Sequence, residues 1–387
     1  MFSSRLHWNL TPNQLLETLA AKRAAGIDIL DLTESNPTRA GFVYDDTEIL
    51  RALAQPKSLL YQPSPRGLPA ARAAVADYYR DRGREIDPDS IFLAASTSEA
   101  YGWLFKLLAD PGDEILVPQP GYPLFDFLTA LESVRQIPYP LRYDDSAGWQ
   151  INFERLQAAI GPRTRAIVAV NPNNPAGVFL KQRELAALNA LCAERRLALI
   201  VDEVFSDYGC GKDEARVETT AGNEGALTFV LSGLSKVAGL PQVKLGWIQI
   251  SGPQTVAAES ASRLEFIADA YLSASASVQH AAPILLASRS SIQQQIIERL
   301  DSNHRWLETR ARASLRRVLK REGGWYAVMD FADSVADSDR AQRWLEEFNV
   351  FVHPGYFYDF AREGFAVVSL LTPPQTFMAG IQRLLAP

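Results

Sequence analysis

From residue 69 onward the chain alternates short apolar runs with amphipathic stretches, and few architectures accept that alternation. Apolar periodicity predicts helices at 69–82, 99–109, 124–131 and 182–195. Between and after them, 91–94, 115–117, 166–170, 198–201, 227–231 and 247–250 read as strands. Several of these runs are apolar throughout rather than at every second residue, so both faces of the sheet must be covered. The expected fold is therefore α/β, a three-layer, mostly parallel central sheet with helices on both faces. Around it the pattern is mixed. Thr11 reads as a capping residue, Pro12 as the first helical residue and Gln14 as the capping-box partner of a helix running towards Gly26, with a strand at 27–32. Residues 255–320 read as long helices, 325–331 as a strand, 341–371 as a helix with two short strands, and 375–385 as a last helix. This suggests a small α+β domain built from 1–40 and 276–387 around a large domain at 41–275.

Composition removes several classes of function. The 387 residues carry a net charge of −6, which gives no basic field to attract nucleic acid or an anionic membrane. Residues 1–16 lack the basic start and apolar core of a signal peptide, and no apolar run approaches a membrane helix in length. A cytoplasmic protein is expected. Cys192 and Cys210 form no disulfide framework, and His7, His280, His304 and His353 lie too far apart to suggest a metal site.

The polar residues able to do chemistry fall at one edge of the expected sheet. Ser96-Thr97-Ser98 follows one strand, Asn171 to Asn174 another, Asp202 ends a third, and Ser235-Lys236 follows a fourth. These are carboxyl ends of strands, where open α/β sheets bind ligands. Lys236, carried into a loop of small residues, is an amine that burial could make nucleophilic, or else a surface charge. Ser96, Thr97 and Ser98 before a helix form either a phosphate cup or a plain N-cap. Asp202 closes a buried strand and needs a cationic or donor partner, which a protonated ring nitrogen would supply. Asn174, in the rigid turn 171–177, could aim its amide at a phenolic oxygen. Tyr122, set between prolines in 118–123, could stack on a flat ring.

A phosphate cup, a ring stacker, a carboxylate for a ring nitrogen, an amide for a ring oxygen and an amine for an aldehyde together describe a site for pyridoxal 5'-phosphate. The chain resembles fold-type I pyridoxal-phosphate enzymes of the class I/II aminotransferase-like family over nearly its full length. The resemblance rests on 171–177, Asp202-Glu203-Val204-Phe205, Ser235-Lys236, Lys244-Leu245-Gly246-Trp247, and Pro111-Gly112-Asp113 ahead of Tyr122. It implies that Lys236 holds the cofactor as an aldimine and shuttles a proton, while Asp202 keeps the pyridine nitrogen protonated. It further implies that Asn174 binds the ring hydroxyl, Tyr122 stacks, and Ser96 to Ser98 with Ser235 and Lys244 hold phosphate. Tyr61 matches the residue that reaches the phosphate of a neighbouring subunit, implying a homodimer with shared active sites. Asn36 and Asn174 fall where the substrate binds.

Four positions depart from the family pattern. Phe205 stands where a tyrosine is usual, Gly233 for a serine and Lys244 for an arginine. The C-terminal arginine that takes the substrate carboxylate falls near Val367. Either Arg39 or Arg66, in the two loops expected to enter the site, replaces it, or the substrate is not a standard α-amino acid. The resemblance thus implies an aminotransferase acting on an amino acid and a 2-oxo acid. A non-transaminating relative (lyase, decarboxylase or cyclase) is the alternative, and a non-catalytic binding module is a third reading that Lys236 and Asp202 oppose.

Overall fold

The computed structural model describes all residues except 1, 7, 9, 10, 12, 334, 386 and 387. Pro12 and His7 therefore lie outside the described residues. In chain order the strands are β1 (Leu30–Asp31), β2 (Ile91–Ala94), β3 (Glu114–Gln119), β4 (Arg135–Asp144), β5 (Gly148–Ile151), β6 (Thr164–Val170) and β7 (Ala198–Asp202). They continue with β8 (Thr228–Gly233), β9 (Gly246–Ser251), β10 (Arg317–Val318), β11 (Tyr326–Asp330), β12 (Val350–Phe351), β13 (His353–Pro354) and β14 (Phe365–Ser369).

The large sheet has the order β2-β9-β8-β7-β6-β3-β4-β5. Strands β2, β8, β7, β6, β3 and β4 run in one direction, and β9 and β5 run against them. The expected three-layer α/β architecture is present, with a sheet that is mixed rather than uniformly parallel. Every residue of β7 and β8 is buried, as a strand covered on both faces requires. Strand alternation divides the core: Ala166, Val168 and Ile200 face the helices Thr97–Leu108 and Gln254–Tyr271. Their neighbours Ile167, Leu199 and Val201 face Leu188, Leu191 and Cys192 of the helix Gln182–Arg195. Truncating a fully buried leucine such as Leu199 to Ala would cost about 2–5 kcal/mol.

Both ends of the chain meet in a second region. Strand β1 pairs in parallel with β12, Leu30 opposite Val350. Leu15 and Leu19 of the helix Gln14–Ala24 join Leu345, Phe377 and Ile381 in one core. Beside it lies a four-stranded antiparallel sheet, β10-β11-β14-β13.

Several local expectations are corrected. Asn13, not Thr11, caps the first helix, its side-chain oxygen accepting from the Leu15 N–H at 2.8 Å. The 27–32 strand shrinks to Leu30–Asp31, because only that pair finds a partner. The β4–β5 hairpin has no counterpart in the apolar-run reading. Lys236 lies not in an open loop but in a one-turn helix, Leu234–Val237, directly after β8.

Candidate active site

The carboxyl ends of β2, β3, β6, β7 and β8 open on one cavity of about 420 Å³. Thr97, Ser98, Tyr122, Asn174, Asp202 and Lys236 all line it. Residues from five separate strand ends thus converge because parallel strands deliver their following loops to one edge.

Close backbone packing fixes the lysine turn. A Cβ on Gly233 would stand 2.8 Å from the Leu245 carbonyl oxygen and 3.0 Å from the Gly246 Cα. One on Gly246 would stand 2.9 Å from both the Ser96 carbonyl carbon and the Thr97 nitrogen. Glycine at 233, a departure from the family pattern, thus lets β8 lie against the start of β9, and glycine at 246 lets β9 lie against the start of the helix Thr97–Leu108. The Tyr208 hydroxyl donates to the Lys236 carbonyl at 2.5 Å. The Lys236 amine sits 4.6 Å from the Trp325 ring centre and 5.6 Å from that of Phe205. The residue keeps some surface towards the cavity, but burial of the amine pulls its pKa down to about 8, against the opposing pull of Asp202. An amine so placed is neutral much more often than a surface lysine.

Asp202 is buried, and burial raises its carboxyl to about 6. Two donors hold it below a still higher value: the Val204 N–H to Oδ1 at 3.1 Å and the Tyr101 hydroxyl to Oδ2 at 3.1 Å. Its neighbour Glu203 turns away, accepting from the Thr219 hydroxyl at 2.6 Å and from the Thr220 N–H at 2.6 Å. One carboxylate of the pair faces the cavity.

The 171–177 turn divides its labour. Asn171 accepts from Leu180 N–H at 2.9 Å and donates to the Val217 carbonyl at 2.9 Å, while Asn173 accepts from Ala176 N–H at 3.1 Å. Asn174 alone lines the cavity, and its buried side-chain oxygen has no hydrogen-bond partner. Because amide oxygen and nitrogen exchange by a flip, this group can offer either a donor or an acceptor to a ligand.

The cup is smaller than the sequence suggests. Ser96 is the helix cap, accepting from Glu99 N–H at 3.1 Å, and does not line the cavity; Thr97, Ser98 and Ser235 do. Lys244 is exposed, sits at φ 60° and does not line the cavity. Tyr122 does line it, 41% exposed and edge-on to Phe125.

The other expected residues lie elsewhere in this chain. Arg66 is ion-paired with Glu265 at 2.7 Å, donates to the Asp89 carbonyl at 2.8 Å and covers the Phe92 ring. Arg39 is exposed. Asn36 accepts from the Thr38 N–H at 3.0 Å and hydroxyl at 2.8 Å, and it is Ser35 that reaches the cavity. Tyr61, 82% exposed, lines a separate cavity of about 310 Å³ with residues 272–276, Gln279 and His280. Val367 is buried in the core. Sequence reasoning missed Tyr101, Tyr208, Trp325, Tyr326 and His353. Tyr101 alone carried a local signal, one turn past the serine cup on the same helix.

The family model for "Aminotransferase class I and II" matches residues 27–376. The chain belongs to that family. It is 31% identical over 276 residues to the glutamate-pyruvate aminotransferase AlaA of Escherichia coli, a match covering 70% of this chain and 66% of that protein. It is 30% identical over 282 residues to an alanine aminotransferase of Mycobacterium tuberculosis, covering 72% and 65%. The matched stretch is thus just under two thirds of each relative's length. An aminotransferase structure from Escherichia coli superposes with a TM-score of 0.86 at 25% identity, covering 100% of this chain and 97% of that one.

The family depends on pyridoxal 5'-phosphate, and the residues here fit that group. A buried carboxylate, an amide oxygen without a partner, a half-exposed tyrosine ring and a helix N-terminus with hydroxyls surround an amine whose pKa burial has lowered. Each matches one functional group of the cofactor.

Proposed function

We propose that this chain is an aminotransferase moving an amino group between an amino acid and a 2-oxo acid. The observation that carries the reading is that Lys236 and Asp202, both with pKa values displaced towards neutrality by burial, share one cavity. Bound pyridoxal phosphate supplies an aldehyde for the amine and an electron sink for the substrate's α-carbon. Lys236 takes the α-proton and returns it, work suited to an amine with a pKa near 8. Asp202 holds a proton at the ring nitrogen, and Tyr101 and the Val204 N–H keep that carboxylate charged and oriented. Asn174 and Tyr122 fix the ring, and Thr97, Ser98 and Ser235 bind the phosphate with the N-terminus of the helix Thr97–Leu108.

The reading includes a homodimer. Leu59, Leu60 and Tyr61 are 89%, 61% and 82% exposed, an apolar patch that an isolated subunit gains nothing by showing to water. It also includes a division into 1–40 with 276–387 and 41–275, supported by the core that joins both chain ends. A cytoplasmic location completes the proposal; among the described residues no helix is long and apolar enough to cross a membrane.

The test is a half-reaction with a panel of amino acids. Transamination releases one equivalent of 2-oxo acid per site without an acceptor and turns over continuously with one. Carbon dioxide or an alkene instead of the 2-oxo acid would mean a decarboxylase or lyase.

A further inference from the structure

The cavity that should receive an amino acid lacks the charge such a ligand demands. Among its described lining residues Lys236 is the sole lysine or arginine, and the proposed reaction occupies its amine. Arg66 is paired with Glu265. A carboxylate withdrawn from water without a cation or strong donors is costly.

Register shows what stands where the arginine is missing. On β14, Val367 is flanked by Val328 of β11 and by His353 of β13. Directly opposed residues share a face, and that face also carries Tyr326, opposite Ser369. Tyr326 and His353 both line the cavity, so two residues of this face reach the site, while Val328 and Val367 beside them pack into a buried core with Tyr358. His353 Nδ1 is 3.0 Å from the Tyr358 hydroxyl, and Nε2 has no hydrogen-bond partner among the described residues. The imidazole is held at one nitrogen and open at the other, beside the methyl groups of Val367.

We infer that His353 is the residue that binds the substrate's α-carboxylate, accepting a proton as the anion arrives and so supplying the cation that position 367 lacks. The inference rests on the aminotransferase reading. Proton uptake follows from the surroundings. Burial holds the imidazole at about 4, so it is neutral before substrate enters, and an adjacent carboxylate raises that value. The titratable groups around it are few. Tyr358 is buried and its pKa raised, so it stays neutral. Asp31 already accepts from Thr33 and pairs with Arg23 at 2.8 Å. Asp337, on the helix Asp337–Phe348 packed against β13, accepts from the Gly364 and Phe365 N–H groups. Strand β14 contributes no charge. Across the cavity stand Tyr326, bonded to Ser35, together with Lys236 and Asp202.

The experiment uses the dimeric or monomeric holoenzyme as isolated and 3-phenylpropanoate, an unreactive carboxylate whose aromatic body suits the Tyr122, Phe127 and Phe357 walls. Calorimetry at pH 6 and pH 8, in two buffers of different ionisation enthalpy, reads affinity and proton uptake together. The expected result is affinity about tenfold or more higher at pH 6, with protons taken up on binding. His353→Gln, which keeps a partner for Tyr358 but gains no charge in this range, should lose that preference and about tenfold in affinity at pH 6. His353→Arg should bind well at both pH values. Because the linkage between Lys236 and the cofactor also exchanges a proton, the histidine's share is the difference between wild type and His353→Gln. Identical affinity and uptake in those two proteins would overturn the inference. Failure of the wild type to release 2-oxo acid from any amino acid would instead remove the aminotransferase reading, which the binding measurement does not depend on.

Discussion

Tyr101→Phe is the substitution whose effect follows most directly from the geometry. It deletes one hydroxyl and keeps the ring against Phe105 and Phe125, 5.8 and 5.3 Å away between ring centres, so the core should survive. What disappears is a 3.1 Å hydrogen bond to a buried carboxylate. Such a bond to a charged group contributes ~1.5–3 kcal/mol. At ~1.4 kcal/mol per unit, Asp202 should move up by about one to two pKa units. From its present value of about 6 it would titrate near or above neutrality. At pH 7 the variant's carboxyl would be at least about half protonated and would lose much of its charge-assisted hold on the ring nitrogen. The assay is the affinity of the cofactor-free protein for pyridoxal phosphate across pH 6–9. Affinity should fall about tenfold at pH 7, and the gap to wild type should narrow as pH rises and Asp202 ionises again. Stability carries the same signature with a definite sign. A carboxyl raised from 3.8 to about 6 on folding stabilises most below pH 3.8, and that contribution is lost as pH rises through 6. Tyr101→Phe should extend the loss to higher pH. Unchanged affinity at every pH would refute the assigned role of this hydroxyl.

Other substitutions separate roles that the sequence leaves merged. Ser96→Ala should lower stability by ~1 kcal/mol through loss of a helix cap and leave cofactor affinity nearly intact, whereas Ser98→Ala should do the reverse. Equal effects on affinity would show that both hydroxyls bind phosphate. Phe205→Tyr sets a hydroxyl among Lys236, Trp325 and Tyr326, near the ring oxygen the family pattern assigns to that position. A new donor to that oxygen should lower the spectroscopic pH midpoint of the bound cofactor by about one unit, and an unshifted midpoint would show that the hydroxyl does not reach it.

Much of the site was legible because burial on both faces leaves continuous apolar runs, and those runs end where the chemistry begins. Asp202 follows such a run directly, and Asn174 and Lys236 stand a few residues beyond the ends of theirs. Tyr101 was not legible: in an amphipathic helix an aromatic side chain reads as core, and only the packing of that helix against β8 and β9 brings its hydroxyl to Asp202. Tyr326 and His353 were hidden for a different reason, since their facing depends on pairing with β14 rather than on local pattern. The β4–β5 hairpin escaped because β4, with Pro138 and Pro140 and partly exposed residues, lacks the apolar continuity of its neighbours. Arg66 shows the converse error. Its loop reads as one that enters the site, but Gly67, at φ +94° with Leu93 2.5 Å from any added Cβ, fixes the backbone tightly against β2. The Arg66 side chain then meets Glu265 instead.

The account depends on one amine. Borohydride reduction of the holoenzyme, followed by peptide mapping, should place the cofactor on Lys236 alone, and Lys236→Ala should take up no covalent label. Label on another lysine, or full transamination by Lys236→Ala, would contradict it.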